Sequence, residues 1–203
     1  MAPYSPVHNV QVTIIPKDET QSTVPASREF FRDASNASAI GVGHIVYKEA
    51  DGNLALVLDD DTQASILGIV SNVWIATSNT RERPRDGILP ASTAGIVEVI
   101  PFSNVAAIEV TEDADGGRID FPTDTYVHDL VQGTLAGSSN TTILNHSTSV
   151  LIDSSKVTNT LGAAWFQITG LAGGHGDVST AGETTSARRY RLVPIASTVQ
   201  SAV

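Results

Sequence analysis

Two β-rich runs, Ile40-Gly41-Val42-Gly43-His44-Ile45-Val46-Tyr47-Lys48 and Leu54-Ala55-Leu56-Val57-Leu58, are joined by the five residues Glu49-Ala50-Asp51-Gly52-Asn53. Glycine supplies the positive φ that such a short loop often needs, so the segment predicts a β-hairpin. No other stretch constrains the fold as strongly. The wider composition points the same way: Val, Ile and Thr number 58, whereas Leu, Met, Glu and Lys number only 24. Side chains that fit a pleated sheet outnumber the straight-chain helix formers, which excludes a helical bundle or a coiled coil.

Further runs follow the same logic. Val10-Gln11-Val12-Thr13-Ile14 alternates strictly and reads as a half-buried strand. Ile66 to Val70 and Val73 to Ala76 read as one long strand or two short ones, and Ser78 to Pro90 as a charged loop. Gly95 to Ile100 and Val105 to Val110 are strands parted by Pro101 and Asn104. Shorter runs recur at Tyr126 to Val131, Thr141 to Leu144, Val150 to Ile152, Trp165 to Thr169 and Arg189 to Ile195, each bracketed by turn residues. Spacing of this kind predicts an all-β chain built as an antiparallel barrel or sandwich; βαβ units would need helices in the gaps.

At 203 residues the chain is one large domain or two small ones, against a usual size of about 150. Polar, turn-prone stretches interrupt residues 1–38, which are read as an extended N-terminal arm. The composition turns acidic at Thr111, dividing the rest into a β domain over 39–110 and a further β-rich region over 111–203.

Charge and cysteine content limit the chemistry. A net charge of −10 opposes contact with a phosphate backbone, so no nucleic-acid partner is expected. With no cysteine there are neither disulfides nor thiolate metal sites. No run of about 18 apolar residues occurs and the first residues lack the pattern of a signal peptide, so neither a membrane partner nor cleaved export is expected.

The five histidines, His8, His44, His128, His146 and His175, lack short metal-ligand spacing. In Gly173-Gly174-His175-Gly176-Asp177 an imidazole lies near a carboxylate in a glycine-rich loop, which is the one place an enzyme would be built. Asp113, Asp115 and Asp120 around Gly116-Gly117 offer oxygen ligands for a hard cation but lack the closing Glu of an EF-hand, and a solvated turn is the plainer reading, as for Asp59-Asp60-Asp61. No catalytic residue, cofactor or metal is expected.

Two segments read as contacts. Phe30 and Phe31 sit between Arg28 and Arg32 inside a polar tract, a composition typical of a docking segment, although the pair can equally close the base of the chain's own barrel. Arg189 and Arg191 share one face of the last strand, where they either meet an acidic surface on a neighbouring subunit or solubilise an edge.

In the order Gly43-His44-Ile45-Val46-Tyr47, Asp51-Gly52-Asn53-Leu54, Ile66-Leu67-Gly68-Ile69-Val70 and Gly95-Ile96-Val97-Glu98-Val99, the chain resembles the capsid cement, or head decoration, proteins of tailed bacteriophages. The likeness covers residues 40 to 110, with a looser echo at the C-terminal strand. It implies a β-rich homotrimer on the outer capsid surface, assembled in the host cytoplasm, binding the major capsid protein and adding no chemistry. A cysteine-free chain suits that reducing compartment. Other readings are a different β-rich virion part, from the tail or the head-completion apparatus, a carbohydrate-binding module, or an enzyme centred on His175.

Overall fold

The hairpin predicted around Asp51-Gly52 forms in the computed structural model, which describes residues 12–17, 26–58, 65–76, 80–84, 87–113, 119–134, 148–172 and 188–202. The strands before Pro101 are β1 (Thr13–Pro16), β2 (Arg28–Arg32), β3 (Ile40–Gly41), β4 (Ile45–Lys48), β5 (Leu54–Leu56), β6 (Gly68–Ala76), β7 (Arg81–Glu82), β8 (Ile88–Leu89) and β9 (Gly95–Pro101). Those after it are β10 (Val105–Glu112), β11 (Tyr126–Val127), β12 (Leu130–Thr134), β13 (Thr148–Ile152), β14 (Val157–Thr158), β15 (Phe166–Leu171) and β16 (Arg189–Pro194). Among the described residues three short 3-10 turns complete the regular structure, and no α-helix is present. The chain is all-β.

A first sheet runs β2-β9-β6-β4-β5, with β7 paired to β6. In its hairpin Val46 opposes Leu56 and Lys48 opposes Leu54, Gly52 has φ +92°, and the Asp51 carboxylate accepts the Asn53 N–H at 3.0 Å. The predicted runs 66–70 and 73–76 merge into β6 through a bulge between Val70 and Asn72. That extra residue puts Val70 and Val73, three positions apart, into the same apolar cluster, whereas strict alternation would separate them.

The sheet curls. Its edge strands β2 and β5 come into contact, and the Asn36 side chain beyond β2 donates to the Leu54 carbonyl at 3.4 Å. Val46, Leu54, Val70, Val73, Val97 and Val99 fill the inside of the curl together with Ile40 and Leu89 from the small β3–β8 pair.

A second sheet runs β12-β13-β10-β16-β15-β11-β14, and β1 pairs with β10. Its pairings are antiparallel except for β10 with β13, which run parallel. Between the sheets lies a larger core, in which Ile45, Ile69 and Ile100 from the first sheet meet Ile108, Val127, Phe166 and Leu192 from the second. Phe102 packs edge-to-face on Phe166, with ring centroids 5.2 Å apart. Each such Ile, Val or Leu withdrawn from water contributes about 1.5–3 kcal/mol, so this shared interior dominates the stability.

Two expectations about organisation change accordingly. The division at residue 110/111 falls inside β10, which continues to Glu112, and the main core draws on both sides of it. Nor does the described part of 1–38 stand apart: β1 lies on β10 and β2 on β9. Asn104 holds both β1 and the start of β2, since its carbonyl accepts the Lys17 N–H and its side chain donates to the Ala26 carbonyl. The run at 126–131 is broken by Asp129, whose carboxylate accepts the N–H of Leu130 at 2.8 Å. The run at 141–144 lies outside the described residues.

Candidate interaction face

Strand period decides the fate of the segment Arg28–Arg32. Arg28, Phe30 and Arg32 take one face of β2, and Glu29 and Phe31 the other. Phe30 packs against the cluster inside the curl. Arg32 is fully buried: its Nη1 donates to the carbonyls of Pro90 at 2.7 Å and Thr93 at 2.8 Å, and its Nη2 to those of Asn36 at 2.9 Å and Ser38. Burial lowers its pKa from the ordinary arginine value, yet a guanidinium stays charged, so four carbonyl dipoles solvate it in place of water. Arg32 therefore leaves the set of candidate contact residues, because it is fully buried and its Nη donors join the 36–38 turn to the 90–93 turn. Arg28 is exposed and donates to the Ala202 carbonyl at 2.9 Å.

Phe31 points outward and is 51% exposed. Directly across the sheet it opposes Ile96 on β9, which opposes Trp74 on β6, so three large apolar side chains stand in one row. Ile96 and Trp74 are partly buried. The Arg81 guanidinium lies 5.9 Å from the centre of the Trp74 ring and grips Glu29 with two hydrogen bonds, of 2.8 and 2.9 Å. That pairing holds the Glu29 carboxyl below the usual carboxylate range and raises Arg81. The next row brings Glu29 opposite Glu98, an unfavourable match of like charges. Arg81 on Glu29 and the Ser27 hydroxyl on Glu98 relieve it. Elsewhere the back of this sheet is covered, since Ile45, Ile69 and Ile100 face the second sheet.

The basic C-terminal strand finds its acid within the chain. Glu109 on β10 lies opposite Arg191, whose Nη2 it accepts at 3.0 Å, and Arg189 approaches the same carboxylate at 3.8 Å while donating to the Glu109 carbonyl and the Thr13 hydroxyl.

The other candidate residues are not brought together. Asp113 accepts the N–H and hydroxyl of Ser154 at 3.0 and 2.6 Å, and Asp120 is exposed at a separate turn. Among the described residues no group of three His, Asp or Glu side chains could hold a metal ion. His44 is buried with Nδ1 accepting the Gly41 N–H at 3.3 Å, and His128 Nε2 lies 3.1 Å from both the Thr158 hydroxyl and the Thr160 carbonyl. His8, His146, His175, Asp177, Asp115 and Asp59-Asp60-Asp61 lie outside the described residues.

No family model matches the chain, and neither a curated protein nor a solved structure matches it. Sequence reasoning missed Glu29, Trp74, Arg81 and Ile96. The alternation of β2 and of Val73-Trp74-Ile75 was the signal for which residues point outward, but the register that aligns them joins strands distant in sequence.

Proposed function

We propose that this chain is a non-enzymatic structural protein of a tailed-phage virion, a cement or decoration protein that seats on the outside of the capsid, binds the major capsid protein and works as a homo-oligomer, with three copies by resemblance. One observation carries the reading. The four segments in which the sequence resembles that family fall on β4, the β4–β5 turn, β6 with the residues just before it, and β9, which are neighbours in a single sheet. The resemblance therefore follows one physical unit, with its glycines set where the sheet leaves no choice. At Gly68 an added Cβ would lie 2.2 Å from the Ile100 carbonyl oxygen, closer than any real side chain comes.

The test is co-sedimentation of the purified protein with undecorated capsids. Saturable binding to assembled capsids and none to free capsid protein is the expected result; recovery of all the protein in the supernatant would remove the proposal.

A further inference from the structure

We propose that the row Phe31, Ile96 and Trp74 is where one copy of this chain meets another, an inference that rests on the homo-oligomer in the reading above. Aromatic side chains beside an arginine are the composition of interface hot spots, and this row presents them on a sheet face that the second sheet leaves uncovered.

Charge selects the occupant. Beside the row, Arg81 on β7 and Arg83 just after it stand against Glu29 and Glu98, and none of these four is buried. They sum to zero, so the net charge of −10 is carried by the rest of the chain. A basic partner would be drawn to that acidic remainder. A second copy of this chain is repelled by it, and is tolerated at a neutral patch holding both signs, where an Arg of one copy can face a Glu of the other. The apolar row then closes without bringing like charges together.

The experiment is sedimentation equilibrium at tens of micromolar for the wild type, Phe31→Ser, Arg81→Glu and the swapped pair Glu29→Arg with Arg81→Glu. A wild-type mass above that of one chain is expected. Phe31→Ser should weaken association about tenfold or more with an unchanged circular dichroism spectrum, because that ring is half exposed and supports no core. Arg81→Glu should weaken it too, and the swapped pair should restore it. A monomeric wild type, or a Phe31→Ser variant that associates like the wild type, overturns the proposal. Co-sedimentation of the same proteins with undecorated capsids separates the two readings. Wild type that oligomerises but does not bind capsids removes the cement function alone, while a Phe31→Ser variant that keeps its mass and loses the capsid assigns the row to the capsid and removes the self-contact.

Discussion

Gln132 and Ile45, 87 residues apart, exchange two hydrogen bonds as if they were neighbours in a ladder: Ile45 N–H donates to Gln132 Oε1 at 2.6 Å, and Gln132 Nε2 donates to the Ile45 carbonyl at 3.0 Å. The same Nε2 reaches the Val57 carbonyl at 2.8 Å. Gln200 does likewise for Lys48, accepting its N–H at 2.6 Å and donating to its carbonyl at 2.9 Å. Where β5 and β6 stop pairing with β4, a side-chain amide takes the place of the missing strand and ties the first sheet to β12 and to the C-terminal segment.

Gln132→Leu keeps the volume and removes that amide, leaving buried main-chain groups of Ile45 and Val57 short of a partner. A buried polar group so deprived costs about 1–3 kcal/mol, so a loss of about 2–4 kcal/mol is expected in urea unfolding at unchanged slope. A loss below about 0.5 kcal/mol would show that water replaces the amide freely.

Arg32→Met should be among the most damaging single changes, because four carbonyls that converge on one buried guanidinium lose a charged donor together. A destabilisation of about 3 kcal/mol or more is expected by chemical denaturation. Arg32→Lys should recover only part of it, since an ammonium cannot reproduce the planar fork. Equal stability of the Lys variant and wild type would contradict the clamp.

Tyr190 gives the stability a dependence on alkaline pH. Burial first, and then the negative Glu112 carboxylate that its hydroxyl faces at 3.3 Å, push its pKa up to about 12, above the value of about 10 in an unfolded chain. The unfolded state therefore loses this proton first. The stabilisation is complete below about pH 10 and declines as pH rises toward 12. Absorbance titration should find one of the four tyrosines ionising late, and Tyr190→Phe should remove that step and flatten the fall in stability. A late step that survives in the Phe variant would place it on another tyrosine.

Gly68→Ala and Gly170→Ala should separate. At Gly68 the new Cβ meets main chain, with Pro101 Cα at 2.8 Å besides the Ile100 oxygen, so β6 and β9 must move apart. A cost of about 1–3 kcal/mol is expected there. At Gly170 nothing lies within 4 Å, and alanine should leave the melting temperature unchanged or raise it slightly. Similar losses at both positions would contradict the packing described.

What was legible in the sequence was local. The Asp51-Gly52 hairpin was readable because turn chemistry and alternation agree within a few residues. The positions of β1 and β2 were not, since their partners β10 and β9 lie far along the chain and the polar residues between them suggested a free arm. Phe30 and Phe31 were treated as a pair although consecutive strand residues face opposite ways, and only Phe31 stays outside. For Arg189 and Arg191 the sequence leaves open an acidic surface on a neighbouring subunit or a solubilising edge; Glu109 of the same chain supplies the acid through a register that no local pattern encodes. Gln132 and Gln200 carried no signal at all, because a glutamine that completes a ladder looks like any other polar residue.

The most direct measurement of the central claim is the number of copies of this chain on purified particles relative to the major capsid protein. A decoration role predicts a fixed stoichiometry that follows the capsomers, with hundreds of copies per particle, on the order expected of a shell-covering protein assembled by symmetry. One copy or a single small ring per particle, or none, would contradict it and move the chain to the tail or head-completion apparatus, or out of the virion altogether.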